Sequence, residues 1–437
     1  MIINKDKNTT TEDTEFHRGE WKEKKLGDIA EIRMCKRIFA EQTTPNGDIP
    51  FYKIGTFGKE PDAYISRSLY EEYKSKYSYP SKGDILLSAA GTLGRTVVYD
   101  GKPAYFQDSN IVWLEIKHEQ ICNEYLYHCY QVMKWASPEG STISRLYNGI
   151  IRDTDIKLPP LPEQRRIAEV LSDTDELIAT LEKLIAKKKA IKQGVMQELL
   201  TGKRRLPGFS GEWVERKLGD CLIVGHGQSQ KNIENRNGKY PILATSGVIG
   251  WTNYFMYDKP SVLIGRKGTI DKPQYMETPF WTIDTLFYTI INQDNSAKYL
   301  YYLFCTIGWS KLNEASGVPS LSRRVIEDID VFLPPTHSEQ TGIANILSDM
   351  DAEIEALSEK LTKFKNIKQG MMSELLTGRI RLVAEKTTNN TNNTNKERDK
   401  PFVGIRERTE GMIRNKKYDV DIAAEPKPEE YGNVEKK

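Results

Sequence analysis

The sequence predicts a mixed α/β protein built twice: two mixed α/β domains joined by two long antiparallel coiled-coil helices, related by a pseudo-two-fold repeat. The first observation is a repeated text. Leu158-Pro-Pro-Leu-Pro-Glu-Gln164, Ile167-Ala168, Leu171-Ser-Asp-Thr-Asp175, Ile191-Lys-Gln-Gly194 and Glu198-Leu-Leu-Thr-Gly202 return as Leu333-Pro-Pro335, Glu339-Gln340, Ile343-Ala344, Leu347-Ser-Asp-Met-Asp351, Ile367-Lys-Gln-Gly370 and Glu374-Leu-Leu-Thr-Gly378. A fixed-period repeat means one structural unit used twice. The second is a repeated head, Gly19-Glu-Trp21 to Leu26-Gly-Asp28, which reappears as Gly211-Glu-Trp213 to Leu218-Gly-Asp220. The third is an alternation of four- and three-residue apolar spacing within each repeated tail.

These marks divide the chain into a flexible N-terminus at 1–15, a first domain at 16–157, a first helical spacer at 158–206, a second domain at 207–332, a second spacer at 333–382, and a polar tail at 383–437. Between head and tail only echoes survive, such as Gly91-Thr-Leu93 against Gly268-Thr-Ile270. A frame kept while its filling changes predicts one fold with two different surfaces.

In order along the chain, residues 22–157 alternate β-like runs with turns. The runs are Ile49 to Ile54, Asp84 to Ser88, Thr96 to Tyr99 and Asn110 to Ile116, with a helix expected near Asn123 to Trp135. The second domain repeats the pattern with Tyr240 to Ala244, Ser261 to Gly265 and Thr285 to Ile291, followed by a helix near Ala297 to Trp309.

The spacers carry a seam. Ile167, Leu171, Thr174, Ile178, Leu181, Ile185, Lys188, Lys192, Val195 and Leu199 are matched by Ile343, Leu347, Met350, Ile354, Leu357, Leu361, Phe364, Lys368, Met371 and Leu375. A 3.5-residue period keeps one stripe on one partner. Ile178, Leu181 and Ile185 are expected to face Ile354, Leu357, Leu361 and Phe364. Because the order is domain, helix, domain, helix, each helix runs back toward the next domain, which makes the pair antiparallel. Pro162 and Pro335 mark the starts, and Gly202 and Gly378 the stops. Ser172 to Asp175 and Ser348 to Asp351 offer caps for a second helix and hence a kink, while Gly194 and Gly370 suggest close helix approach. About 36 residues at about 1.5 Å each give a rod of roughly 55 Å, against about 34 Å for one turn of DNA.

Composition narrows the function classes. The chain has 437 residues, 38% of them hydrophobic, and a net charge of +2. That is ample for several cores, and near-neutral charge leaves any anion binding to local clusters. No run of 18 apolar residues occurs and the start, Met1 to Lys7, is too polar for a signal peptide, so cytoplasmic residence without membrane attachment is expected. Five cysteines without a CxxC pair argue for reduced thiols. Asn-rich 387–396 is low-complexity, and a short helix near Phe402 to Ile413 is the one element expected in the tail.

Candidate binding residues sit in polar loops that recur in both domains. Thr92 and Arg95 follow glycines in the first, as Arg266, Lys267 and Thr269 flank Gly268 in the second. Ser141, Arg145 and Arg152 form a second basic segment, paralleled by Ser320, Arg323 and Arg324. Such cations suit phosphates or guanine edges. Catalytic patterns are missing: no P-loop, no HExxH, and no Asn- or Asp-Pro-Pro-Tyr. Asp108 and Glu115-Ile-Lys117 imitate a nuclease D…ExK triplet without a counterpart in the second copy, and the histidines lack ligand spacing. A stand-alone nuclease and a coiled-coil scaffold without DNA binding are the alternative readings.

The repeated Leu-Pro-Pro…Glu-Gln…Ile-Ala…Leu-Ser…Asp and Lys-Gln-Gly…Glu-Leu-Leu-Thr-Gly segments, with the Trp…Lys-Leu-Gly-Asp heads, closely resemble the specificity subunits of type I restriction–modification systems across residues 16–382. The resemblance implies two target-recognition domains, each reading half of a bipartite double-stranded DNA site. It implies spacers that set the gap and dock methylation and restriction subunits, two of each. Methyl transfer from S-adenosylmethionine and ATP- and Mg²⁺-dependent cleavage then belong to those partners, and this chain carries no cofactor, metal or catalytic residue. The second spacer departs from the first by one extra residue before its Glu339, which suggests a shifted helix start.

Overall fold

The computed structural model describes residues 20–116, 120–135 and 145–382. The expected N-terminal segment 1–15, Ser141, Lys117 and the tail with its short helix lie outside the described residues. The first half runs β1 (Lys22–Lys25), α1 (Leu26–Ile29), β2 (Ala30–Arg33), β3 (Ile49–Tyr52), β4 (Tyr64–Ile65), α2 (Arg67–Lys76), β5 (Ile85–Ser88), β6 (Thr96–Val98), β7 (Tyr105–Phe106), β8 (Ile111–Ile116), α3 (Asn123–Val132), α4 (Asn148–Asp153), β9 (Asp155–Leu158) and α5 (Leu161–Leu199). The second half runs β10 (Val214–Lys217), α6 (Leu218–Cys221), β11 (Leu222–His226), β12 (Tyr240–Ala244), β13 (Gly247–Thr252), β14 (Ser261–Gly265), β15 (Gln274–Met276), β16 (Trp281–Thr282), β17 (Leu286–Ile291), α7 (Ala297–Phe304), α8 (Arg323–Glu327), β18 (Asp330–Leu333) and α9 (His337–Leu375).

The two halves share one topology despite their divergence. Sheet order β2-β8-β5-β6 repeats as β11-β17-β14-β15, β4-β3-β7 repeats as β13-β12-β16, and β1-β9 as β10-β18. In both, the long central strands are buried on both faces, as Ile85 to Ser88 and Ser261 to Gly265 are, so their apolar runs lack alternation. Helix α2, capped by Ser66 on the Leu69 amide, has no counterpart in the second half. The helices after β8 and β17 are shorter than expected and end at Val132 and Phe304, with Trp309 in a separate 3₁₀ turn.

Helices α5 and α9 are each 39 residues long, a length of about 58 Å at about 1.5 Å per residue. They pack together in antiparallel sense. Ion pairs Lys188–Glu353, Lys192–Asp351, Glu182–Lys365 and Asp175–Lys368 step forward on one helix as they step back on the other. Leu181, Ile185 and Phe364 are buried on this seam, and Ile178, Ile354, Leu357 and Leu361 are half-buried.

Both spacer helices run unbroken through Ser172 and Ser348, so no second helix starts there. Thr174 is buried and its hydroxyl donates to the Val170 carbonyl at 2.9 Å, while Asp175 is engaged by Lys368 at 2.6 Å, so the side chains that offered caps serve the continuous helix instead. Gly194 and Gly370 face open space rather than a neighbouring helix. The extra residue of the second spacer is absorbed before α9: Thr336 becomes the cap, accepting from the Glu339 amide at 3.3 Å, and both helices keep equal length. In α5, Pro162 sits in the first turn, where its missing N–H costs nothing.

Each helix is closed by the other half of the chain. The Glu163 carboxylate, at the start of α5, accepts two bonds from Arg381 at 2.8 Å each and one from Trp21 Nε1 at 3.3 Å. Its counterpart Glu339 accepts from Arg205 at 2.6 and 2.8 Å and from Trp213 Nε1 at 3.4 Å. Gly202 and Gly378 take positive φ values of 71° and 74° beneath Trp213 and Trp21, where a Cβ would press within 3.2 Å of each indole. The neighbouring Gln164 and Gln340 are buried and staple the segments ahead of α3 and α7, the former through Gln120 and Cys122, the latter through Ser296 and Asn295. The repeated Glu-Gln pair therefore joins domain to rod.

The domains are also held from the side. Lys368 of α9 donates to Gln131 Oε1 on α3 at 2.9 Å. Lys192 of α5 lies 5.2 Å from the Tyr302 ring centroid, and Tyr302 donates to Asp351 at 2.9 Å. Each rod helix thus grips the domain of the other half.

Candidate nucleic-acid interface

In the first domain β5 ends in Ser88, and the chain turns through Gly91 (φ 66°) and Gly94 (φ 78°) to reach Arg95. Ser88 organises this loop: its hydroxyl donates to the Thr92 carbonyl at 2.5 Å and accepts from the Arg95 amide at 2.8 Å. Gly94 packs on Trp135, where a Cβ would sit 2.4 Å from the indole nitrogen. A second loop joins here, since Arg145 bridges Ala90 and the Leu146 amide donates to the Ala89 carbonyl at 2.8 Å. The Arg145 guanidinium reaches the Ser109 carbonyl at 3.3 Å.

The second domain builds the same junction from different side chains. Lys267 bridges Ser320, and the Leu321 amide donates to the Arg266 carbonyl at 2.9 Å. Arg266 donates through Nη1 to the Asp284 carbonyl at 3.2 Å. Thr269 follows Gly268, whose φ is 89° and whose amide donates to the Pro319 carbonyl at 2.9 Å. Thr92, Arg95 and Arg145 therefore share one two-loop platform, and Arg266, Lys267, Thr269 and Ser320 share its counterpart.

Three predicted residues belong elsewhere. Arg152 lies on α4 and covers Gly27 of α1, where an added Cβ would be 3.0 Å from its own Cβ. Arg323 runs along α8 to Glu327 at 2.8 Å, and Arg324, exposed, lies 3.6 Å from Asp328. These short helices pack against α1 and α6 of the heads, and in α8 the i,i+4 pairing takes charges the sequence left open.

Nor does the imitation nuclease triplet assemble. Asp108 precedes β8 and pairs with Arg37 at 2.9 Å, while Glu115 lies near the other end of the strand and pairs with Arg33 at 2.7 Å. That Glu115 bond also raises the Arg33 pKa. Four residues of strand at about 3.3 Å each separate Ile111 from Glu115 by roughly 13 Å. Among the described residues no group of His, Cys, Asp and Glu is placed to hold a metal ion, and no helix is long and apolar enough to cross a membrane. All five cysteines are free; burial pushes the Cys35 and Cys129 thiols up to about 12, far from nucleophilic use.

Two features escaped sequence reasoning. Lys59 joins Thr92 and Arg95 around one concavity although 36 residues separate it from Arg95. In the second domain Val248, Trp251, Tyr254 and Phe255 are all exposed on and after the edge strand β13, beside Lys239, whose ammonium lies 5.8 Å from the Tyr240 ring. The Trp251-Thr-Asn-Tyr254-Phe255 cluster was the available signal.

The family model of the type I restriction modification DNA specificity domain matches residues 18–193 and again 210–366. A relative named as a type I restriction enzyme specificity subunit, from Haemophilus influenzae, is 59% identical over 152 residues, which is 35% of this chain and 40% of that protein, so the match spans under half the relative's length. A second, from Methanocaldococcus jannaschii and named likewise, is 23% identical over 403 residues, 83% of this chain and 94% of that one. The crystal structure of a type I restriction–modification S subunit from M. genitalium shares the fold, with a TM-score of 0.61 at 17% identity over 82% of this chain and 96% of that one.

Proposed function

The chain belongs to the family of type I restriction–modification DNA specificity domains, and from that premise we propose that it is a non-catalytic subunit reading a bipartite DNA site, one half per domain. One observation supports this most. The same two-loop junction is built twice on one scaffold, yet with different side chains, Thr92, Arg95 and Arg145 in one and Arg266, Lys267, Thr269 and Ser320 in the other. Two platforms on one frame are what two different half-sites require.

In this reading loop cations contribute affinity through phosphates, and the polar side chains of each junction discriminate base edges. The antiparallel rod fixes the unread gap between half-sites. It also docks methylation and restriction subunits, two of each, which bring S-adenosylmethionine, ATP and Mg²⁺. The cytoplasm is the compartment this assigns.

The test is selection of duplexes from a random pool by the purified full chain. Expected is enrichment of two short motifs at one constant separation. A single contiguous motif, or none, refutes the bipartite reading. Incubation of the chain with the selected duplex and Mg²⁺ should leave the DNA intact; cleavage would return the nuclease alternative.

A further inference from the structure

The two junctions differ in one respect that alters their chemistry. Ser88 ends β5 and pairs with Ile111 of β8; Gly265 ends β14 and pairs with Leu286 of β17, so the two occupy equivalent places. In the second domain the loop lies against the strand: a Cβ on Gly265 would fall 2.0 Å from the Thr269 carbonyl oxygen. In the first, the Ser88 side chain fills that place and holds the Thr92 carbonyl off at hydrogen-bond distance, 2.5 Å from its Oγ. The loop is propped open by one hydroxymethyl group.

Beside the propped loop lies a concavity of about 260 Å³, lined by Phe57, Lys59, Ser88, Gly91, Thr92 and Arg95 among others. A water occupies about 30 Å³ of liquid, so a tetrahedral anionic group fits. Its charge is of one sign. Among the described residues neither Lys59 nor Arg95 is ion-paired with a carboxylate, whereas nearby Lys53 and Lys102 are paired with Asp62 and Asp100. Arg95 gives one N–H to the Phe57 carbonyl at 3.0 Å, which aims the guanidinium and leaves the rest of its five donors available. Two cations without a carboxylate partner lining one hollow offer an entering anion two charge partners.

We propose that this hollow seats one phosphodiester group of the DNA backbone, fixing the register of the first domain on its half-site. This rests on the DNA-binding reading above and goes beyond it by assigning an anion site to one domain alone. Lys59 and Arg95 supply charge, and Ser88 keeps the seat open. Because the contact is to phosphate, it positions without discriminating sequence.

The experiment measures affinity of the full chain for its selected duplex against salt concentration, and against duplexes carrying a neutral methylphosphonate at each backbone position in turn. Among the positions where the methylphosphonate weakens wild-type binding, one, in one half-site only, should depend on Lys59. Lys59→Gln should lower the log–log salt slope by about 0.9 and become indifferent to that substitution. Ser88→Gly, which changes no charge, should lose the same positional sensitivity as the loop settles as in the second domain. Lys102→Gln, whose ammonium is already paired and exposed, is the control that keeps the wild-type slope. A Lys59→Gln chain with unchanged slope and unchanged methylphosphonate sensitivity overturns the seat while leaving the bipartite reading intact. A wild-type chain that selects no duplex overturns both.

Discussion

Removing Arg205 should uncouple the second rod helix from its domain. The Glu339 carboxylate is fully buried and takes two guanidinium bonds at 2.6 and 2.8 Å; after Arg205→Met its remaining side-chain donor is Trp213 Nε1 at 3.4 Å. Breaking a buried pair by deleting one partner costs about 3–5 kcal/mol. Arg205 is 28% exposed, so water screens part of the loss and the lower end applies, about 3 kcal/mol. At about 1.4 kcal/mol per decade this amounts to roughly a 150-fold rise in local opening. Methionine keeps the apolar stem, so the change isolates charge and hydrogen bonding. Amide hydrogen exchange reads the effect directly: protection at Gln340 to Ala344 should fall by about two decades, with mid-rod amides unaffected. Arg381→Met repeats the experiment on Glu163, which keeps one further donor, the Leu382 amide at 3.2 Å, and the loss should be somewhat smaller. Glu339→Gln combined with Arg205→Met should recover at least half of the protection. Exchange changed less than five-fold by Arg205→Met, or a double variant no better than the single, refutes the argument that an uncompensated buried charge sets the cost.

Other outcomes follow from the same geometry. Leu181→Ala removes a buried seam side chain and should cost about 2–4 kcal/mol, measured by urea denaturation; Ile178→Ala, half-buried, should cost less. Replacing both Arg266 and Lys267 by alanine should weaken binding to duplexes carrying the second half-site at least ten-fold without shifting the thermal midpoint, and unchanged affinity would remove them from the interface. His128 is buried against Ser172, and burial lowers its pKa from 6.5 to about 4. The unfolded chain therefore binds the extra proton first, so stability is intact above pH 6.5 and falls between there and pH 4 by up to about 3 kcal/mol. His128→Gln should flatten that slope, and identical pH profiles for both chains would contradict it.

The parts of the fold that the sequence announced are those where period and packing agree. The apolar strand runs from Ile85 and from Ser261, and the four–three spacing of the spacers, each state which face is buried. Where the reading failed, the same side chain had two uses that sequence weighs equally. Ser172 to Asp175 has the composition of a cap, but the Lys368 partner of Asp175 comes from the opposite helix, 193 residues away. Arg323 and Arg324 read as loop cations until α8 places Glu327 and Asp328 one turn on. The site was half visible. The glycine-flanked loops and their basic partners recur in both copies, and recurrence pointed to them. Lys59 enters the same hollow only because β3 and β5 lie in neighbouring sheets, a relation carried by no local pattern.

The crossed closure of the two halves gives the polypeptide a timetable. Glu163 and its partner Arg381 are 218 residues apart in the chain, so at a synthesis rate of about 5–20 residues per second the carboxylate waits roughly 10–45 s for its counter-charge. Trp21, near the beginning, waits for Gly378 and Arg381, near the end. Glu339, by contrast, finds Arg205 already made when it emerges from the ribosome. The second half can therefore mount on its helix as it is synthesised, whereas the first completes its mount last. A chain cut short before Arg381 would carry a finished second junction and an open first one, so the last residues of the second spacer act as the lock on the first domain.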